Sequence, residues 1–310
     1  FMRQAGRYLP EFREIRKKNP NFIQLCLNRN LVPEITLQPI KRFNLLDAAI
    51  IFSDILMIPH GLGQKVEFKK DFGPILNEIN INKISEIDDI EFTKSLLPVY
   101  DSMKIISTKD IVKNKDTIGF VGAPWTLLVY MLNKKSPKKE INKEILNNNL
   151  LVENLLNIIV RFTKIHIKNQ VDNGATLIQI FDSWAGLVEN EKEISKFIYN
   201  PTLSLIDYVK SLNVPVICFP RNIKNYELYC NILSPDAINI DYEVDPKNIE
   251  KKIKIPVQGG LDPKILLSDK DNLKKQALKY LNIFKDHPYI FNLGHGVLPE
   301  TKPEMVEYLV

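Results

Sequence analysis

Eight short runs rich in β-branched residues recur along the chain, each followed by a longer segment of helical period, and no other feature restricts the fold so strongly. They fall at residues 1–4, 48–55, 118–121, 176–181, 215–219, 237–240, 255–258 and 289–293. Strands that alternate with helices are expected to lie parallel and to be joined by crossovers. The segment 150–171 shows the helical pattern clearly, with Leu151, Leu155, Ile159 and Phe162 at three- and four-residue spacing and Gly174 placed to end the helix. Pro33 sits at a first-turn position of another apolar-periodic run. The stretch 64–115 exceeds one crossover and is expected to hold a small hairpin and two helices. No Pro/Gly/Ser-rich linker divides the chain. The 310 residues therefore predict a single α/β domain, a (β/α)8 barrel of the TIM type, with a doubly wound open sheet as the competing architecture. Phe1 enters a predicted strand without an initiator methionine and the last helix breaks off at Val310, so the barrel is expected to be truncated at both ends.

Composition narrows the class. Hydrophobic residues make up 45% and charged residues 25%, and no apolar run reaches the roughly 18 residues of a membrane span. The expectation is a soluble protein with no membrane partner. Forty-two basic and 37 acidic residues are interleaved, leaving a net charge of +5 and only a short run at Lys134, Lys135, Lys138 and Lys139. A nucleic-acid partner is not expected from that pattern, whereas an acidic small molecule suits it. Cys26, Cys218 and Cys230 are odd in number and lack CxxC spacing, which argues against a disulfide framework and a structural zinc site and favours a reducing cytoplasm.

Polar residues and glycines gather just after the predicted strands: Arg3 and Arg7, Asp54, Trp125, Asp182 and Ser183, and His295. In a barrel those positions share the C-terminal mouth, where the active sites of this fold lie. Gly61-Leu62-Gly63 is a weak dinucleotide signal because Val66 stands where a third glycine belongs. No phosphate-loop, zinc-protease, nucleophile-elbow or EF-hand motif occurs.

The segment Phe1-Met2-Arg3-Gln4-Ala5-Gly6-Arg7-Tyr8-Leu9-Pro10-Glu11 sets two guanidiniums four residues apart around a glycine, and Arg16 follows on the next helix. Arginine suits planar carboxylates through paired hydrogen bonds, although a salt-bridged surface turn would read the same way. Asp54 ends an apolar run; it either pairs with an arginine or waits for donors on a ligand. His295 lies between Gly294 and Gly296, a loop position open to either a contact or a plain hydrogen bond. Tyr130, on the helix expected after Pro124, is a ligand contact or a half-buried ring. Ser183 lacks the elbow glycines and reads as a hydrogen-bond donor.

Together these segments resemble the uroporphyrinogen decarboxylase family. The opening segment through Glu11, Phe52 to Leu56, Gly122-Ala123-Pro124-Trp125-Thr126, Asp182 to Gly186, Gly259-Gly260-Leu261-Asp262-Pro263 and Asn292 to Val297 carry the likeness. The resemblance implies removal of four acetate carboxyls from uroporphyrinogen III, giving coproporphyrinogen III with no cofactor and no metal. It implies Asp54 and Arg3 as catalytic residues. Arg3, Gln4, Ala5, Gly6, Arg7, Arg16, Asp54, Tyr130, Ser183 and His295 are the implied contacts of a polycarboxylate tetrapyrrole. It also implies a cytoplasmic homodimer. Asp182 and Trp184 fall where relatives vary. The rival within the same superfamily, a corrinoid-linked methyltransferase, is expected to hold zinc through a His-x-Cys pair and a second Cys. Here Val216 precedes Cys218 by two residues and the Gly294-His295-Gly296 turn carries no Cys. A non-catalytic tetrapyrrole-binding barrel is the third reading.

Overall fold

In a computed structural model, which describes residues 1–69, 72–137 and 149–310, seven parallel strands form one sheet. They are β1 (Ala48–Ile50), β4 (Asp116–Gly122), β5 (Leu177–Asp182), β6 (Val216–Pro220), β7 (Ala237–Ile240), β8 (Val257–Gly259) and β9 (Tyr289–Ile290), in that spatial order. Spatial order follows chain order without reversal. That is winding of the barrel kind, not the reversed order of a doubly wound sheet. The remaining strands, β2 (Val66–Lys69) and β3 (Gly73–Leu76), make the expected antiparallel hairpin, and the helices Ile81–Glu86 and Asp89–Ser107 follow it. Lys138 and Lys139 lie outside the described residues, while Lys134 pairs with Glu78 at 2.8 Å.

Helices and strands form where local chemistry favours them. The helix Pro124–Asn133 begins with proline at its first turn, after Ala123 in extended backbone. The helix Asn149–Asp172 ends as expected: Gly174 has φ +110°, and a Cβ there would stand 2.4 Å from Ser107 Cβ. Sheet residues of one parity, Ala49, Ile51, Val121, Ile178 and Ile180, are buried beneath the helices. Among the described residues no helix is long and apolar enough to cross a membrane.

One of the eight predicted strands is a different structure. Residues 1–4 form a turn in which Arg3 takes the left-handed conformation, φ 58°, which a ladder cannot accommodate. The turn nevertheless stands between the two edges of the sheet. Gln4 Nε2 donates to Ala48 O of β1 at 3.1 Å, and Val297 N, beyond β9, donates to Met2 O at 3.0 Å. The run 48–55 is strand only as far as Ile50. Beyond it Asp54 Oδ1 accepts from Leu56 N at 2.9 Å, so the carboxylate organises a turn instead of continuing the ladder. Likewise β9 is shorter than expected, and Leu293 only bridges to Leu261.

Candidate active site

The inner face of the sheet is set by side-chain parity. Gln179, Asn239 and Gln258 meet there as a buried amide layer, with Gln258 Nε2 donating to Asn239 Oδ1 at 2.5 Å and to Gln179 Oε1 at 3.4 Å. From Gln179 the register carries the same parity to Phe120 and Phe181, and along β6 to Ile217 and Phe219. Phe181 meets both Phe120 and Phe219 edge to face, with centroids 5.6 and 6.2 Å apart. Ile50, Phe120 and Phe181 stay partly accessible while their outward neighbours are sealed. Amides therefore floor an apolar hollow that solvent reaches from one end.

Hydrogen bonds link several neighbouring segments around that end. Ala123 N donates to Phe181 O, Gly186 N to Arg221 O, Asn222 N to the Asp241 carboxylate, and Gly294 N to Leu261 O. The N-terminal turn is tied to the loop beyond β9 through Val297 N and Met2 O, and to the start of β1 through Gln4. Loops so fixed hold side chains more precisely than free loops do.

Asp54 lies on this rim, half-buried. Leu56 N–H occupies one of its oxygens, and among the described residues it forms no contact ion pair, although Arg3 is near enough for its charge to be felt. Burial raises its pKa from 3.8 to about 6, against the opposing pull of the Leu56 N–H and Arg3. Of the two alternatives left open by the sequence, the direct structural ion pair is not formed.

Arg3 retains solvent contact, yet desolvation lowers its pKa, a combination expected of a group on the wall of an open hollow. The charges of Asp54, Arg7, Tyr130 and Arg221 all reach it. Its stem lies against Gly296, where a Cβ would come within 2.4 Å of Arg3 Cδ. Position 296 thus needs glycine for the guanidinium to sit where it does.

His295 receives a hydrogen bond at Nδ1 from Gly296 N, 2.7 Å. Nδ1 is then the acceptor, and the neutral ring carries its proton on Nε2. Burial, then Arg3 and Arg221, lower its pKa to about 4, so the ring is an uncharged donor at neutral pH. Tyr130 packs edge to face on Trp184 with centroids 5.9 Å apart, and its pKa is raised by burial and by Asp54.

Not every expected contact faces the hollow in the same way. Arg7 is exposed, and its charge reaches both Arg3 and Arg16. Arg16 donates to Asn19 O at 2.6 Å and lies over the Phe22 ring at 5.7 Å, tied to the others only through Arg7. Gln4 is buried, with its amide committed to Ala48 O. Ala5 and Gly6 shape the turn, and Ser183 is half-buried just past β5. Asp182 takes the outward parity beneath the helix Pro124–Asn133, where Thr126 Oγ1 donates to it at 2.6 Å. Burial raises its pKa to about 7. It belongs to the support of the rim and not to the hollow. Arg221 was missed by the sequence reading, although Pro220-Arg221 stands at the end of a strand just as Asp54 and Ser183 follow theirs.

A singly wound parallel sheet with guanidiniums around one half-buried carboxylate at its C-terminal ends places the molecule among barrel-like α/β proteins with a cationic mouth. The family model described as Uroporphyrinogen decarboxylase (URO-D) matches residues 1–310. A uroporphyrinogen decarboxylase of Rickettsia felis is 41% identical over 315 residues, covering 100% of this chain and 90% of that protein. One from Rickettsia bellii is 42% identical, covering 100% and 92%. The chain belongs to the uroporphyrinogen decarboxylase family. In fold it also resembles a methyltransferase from Methanosarcina mazei, with TM-score 0.77 at 16% identity over 96% of this chain and 88% of that one. A B12-independent methionine synthase from Shewanella sp. W3-18-1 is more distant, with TM-score 0.53 at 11% identity over 91% and 85%. Among the described residues no three His, Cys, Asp or Glu side chains converge as metal ligands.

Proposed function

We propose that this protein decarboxylates the four acetate arms of uroporphyrinogen III to methyl groups, releasing carbon dioxide and leaving coproporphyrinogen III. The observation that carries the reading is Asp54. It is a carboxylate on an apolar inner rim, bonded by one backbone N–H and, among the described residues, free of any contact ion pair, so it has acceptor capacity for the inward-facing pyrrole N–H groups of a macrocycle. Family membership supports the same substrate.

In each cycle a proton adds to the pyrrole ring carbon beside an acetate arm, and the ring becomes a cation that draws in electrons. The bond to the carboxylate then breaks towards the ring, carbon dioxide leaves, and a methylene remains. A second proton converts the methylene to methyl, and loss of the first restores the pyrrole. The net change is one carboxylate and one proton exchanged for carbon dioxide and a methyl group. Asp54 would stabilise the cation by its charge in a site shielded from bulk water, the kind of electrostatic contribution that dominates in many enzymes. Arg3 and Arg7 would grip carboxylate arms and Arg16 would add charge from the rim, while Arg3 also offers a path for the proton. Tyr130, Ser183 and the Nε2–H of His295 would supply further donors. A (β/α)8 barrel completed around the turn at residues 1–4, and a cytoplasmic homodimer, belong to the same proposal.

The experiment is anaerobic incubation of the protein with uroporphyrinogen III, followed by chromatography of the oxidised products. Species with seven, six, five and four carboxylates are expected to appear in succession. Unchanged octacarboxylate would overturn the proposal.

A further inference from the structure

The cations at the mouth are not exhausted by the arginines of the opening turn. We propose that Arg221, the residue just past β6, binds a carboxylate arm of the substrate from the side of the hollow facing Arg3 and His295; this rests on the reading of the substrate as a polycarboxylate tetrapyrrole. Three observations converge on it.

Placement comes first. Arg221 N donates to Asp182 O at 3.0 Å and its carbonyl accepts from Gly186 N at 3.1 Å, so its backbone extends the β5–β6 pairing by one residue. Its side chain therefore keeps the inward parity of Ile217 and Phe219. Its charge is felt by both Arg3, in the turn at residues 1–4, and His295, beyond β9.

The second observation is the lack of a partner. Among the described residues Arg221 forms no ion pair, and its Nε–H is buried with no acceptor. Neither neighbouring carboxylate pairs with it, and Asp182, of outward parity, keeps its Oδ2 buried without a partner. Asp182 receives Thr126 Oγ1, and Asp241 receives the backbone of Asn222 and Glu243. A buried guanidinium N–H without an acceptor costs free energy that an incoming anion would recover.

The third is repulsion. Arg221 lowers the pKa of Arg3, and among the described residues neither makes a contact ion pair with an acid. A fold that needed only structural support at this position would gain from a neutral side chain. Two like charges facing one hollow instead suit a ligand with several carboxylates, which binds both in planar two-bonded geometry.

The test is equilibrium binding of uroporphyrin, the stable oxidised octacarboxylate, followed by quenching of tryptophan fluorescence or by calorimetry. The parent protein, Arg221→Met and Arg221→Lys are compared. Methionine keeps most of the stem's volume and removes the charge, and circular dichroism with thermal melting checks that the fold persists. Loss of one charged contact predicts weakening by about tenfold or more in Arg221→Met, with partial recovery in Arg221→Lys. In steady state with uroporphyrinogen the same variant should raise KM more than it lowers kcat. A folded Arg221→Met protein that binds uroporphyrin as tightly as the parent overturns the assignment of Arg221. Failure of the parent itself to bind uroporphyrin overturns the substrate reading on which the assignment rests. If methionine prevents folding, Arg221→Lys and Arg221→Gln decide, since equal uroporphyrin affinity in both would again remove Arg221 from the site.

Discussion

Asp54→Asn should make the protein more stable and nearly inactive at once, and the size of the gain follows from the carboxyl's surroundings. Burial lifts the Asp54 pKa from 3.8 to about 6 despite the Leu56 N–H and the neighbouring Arg3. A shift of about two units corresponds to about 3 kcal/mol that ionised Asp54 costs the folded state at neutral pH. Because the carboxylate keeps some solvent contact, about 1–3 kcal/mol is the expected range. Asparagine retains an oxygen for the Leu56 N–H and sheds the charge. For a domain of this size the gain amounts to about 1.5–5 °C in Tm.

The pH dependence separates this cause from others. At low pH the group is protonated in folded and unfolded chains alike and makes no difference. As pH rises from 3.8 towards 6 the unfolded chain ionises first, so the folded state loses stability across that window and the loss is constant above it. The Tm advantage of the variant should therefore be about half its plateau near pH 5 and full from about pH 7 upward. Scanning calorimetry from pH 5 to 8 measures it, and turnover assayed in parallel should fall by about a hundredfold or more. A variant no more stable than the parent at pH 7.5, or one whose advantage is flat across the range, would refute the view of Asp54 as a desolvated charge.

Arg3→Lys keeps the charge and loses the planar fork, so kcat/KM should drop about tenfold or more with the circular dichroism spectrum unchanged; unaltered kinetics would make Arg3 peripheral. Gly296→Ala would put a Cβ 2.4 Å from Arg3 Cδ, and steady-state assays should show about a tenfold loss. Combined with Arg3→Lys it should add less than its separate effect, because both act on one side chain; full additivity would mean that Gly296 does not act through Arg3. His295 is held to about 4, well below the working range, so the acid limb of the kcat/KM profile near pH 6 belongs to Asp54. That limb should survive in His295→Gln, and its disappearance there would assign it to the imidazole.

The winding of the sheet was readable from sequence because buried parallel strands must be apolar runs and their crossovers must show a helical period. Six of the predicted runs contain the strands β1, β4, β5, β6, β7 and β9 or match them closely, and β8 is displaced by about two residues, an ordinary boundary error. Residues 1–4 failed for a definite reason. Phe1 and Met2 have strand-forming character, but Arg3 at φ 58° closes a turn, and no propensity rule signals a positive φ at arginine. Arg3, Asp54 and His295 stood out as candidates because polar residues directly after apolar strands mark one end of the fold, whereas Tyr130, on the helix Pro124–Asn133, entered through the resemblance. Asp182 carried the same mark, yet it receives Thr126 within the scaffold, and Gln4, a candidate through the resemblance alone, spends its amide on Ala48 O. Parity distinguishes Asp182 from Arg221, and parity depends on register, which becomes known only once the strands are paired.

Register also connects the electrostatics of the mouth to its chemistry. Residues of inward parity supply an amide layer, then phenylalanines, then charge at the rim, so the polarity of the hollow changes along the direction in which a flat ligand would enter. The apolar surroundings of Asp54 raise the cost of ionising it, while Arg221 lowers the pKa of Arg3 at the solvent-reached rim. The same surroundings add to what a ligand gains when carboxylates meet the arginines and N–H groups meet Asp54. The charges of such a site are satisfied best by a ligand that offers anions at its periphery and donors at its centre. Neither an acid nor a base alone could satisfy both halves, and that dual demand links the energetics of the empty fold to the choice of substrate.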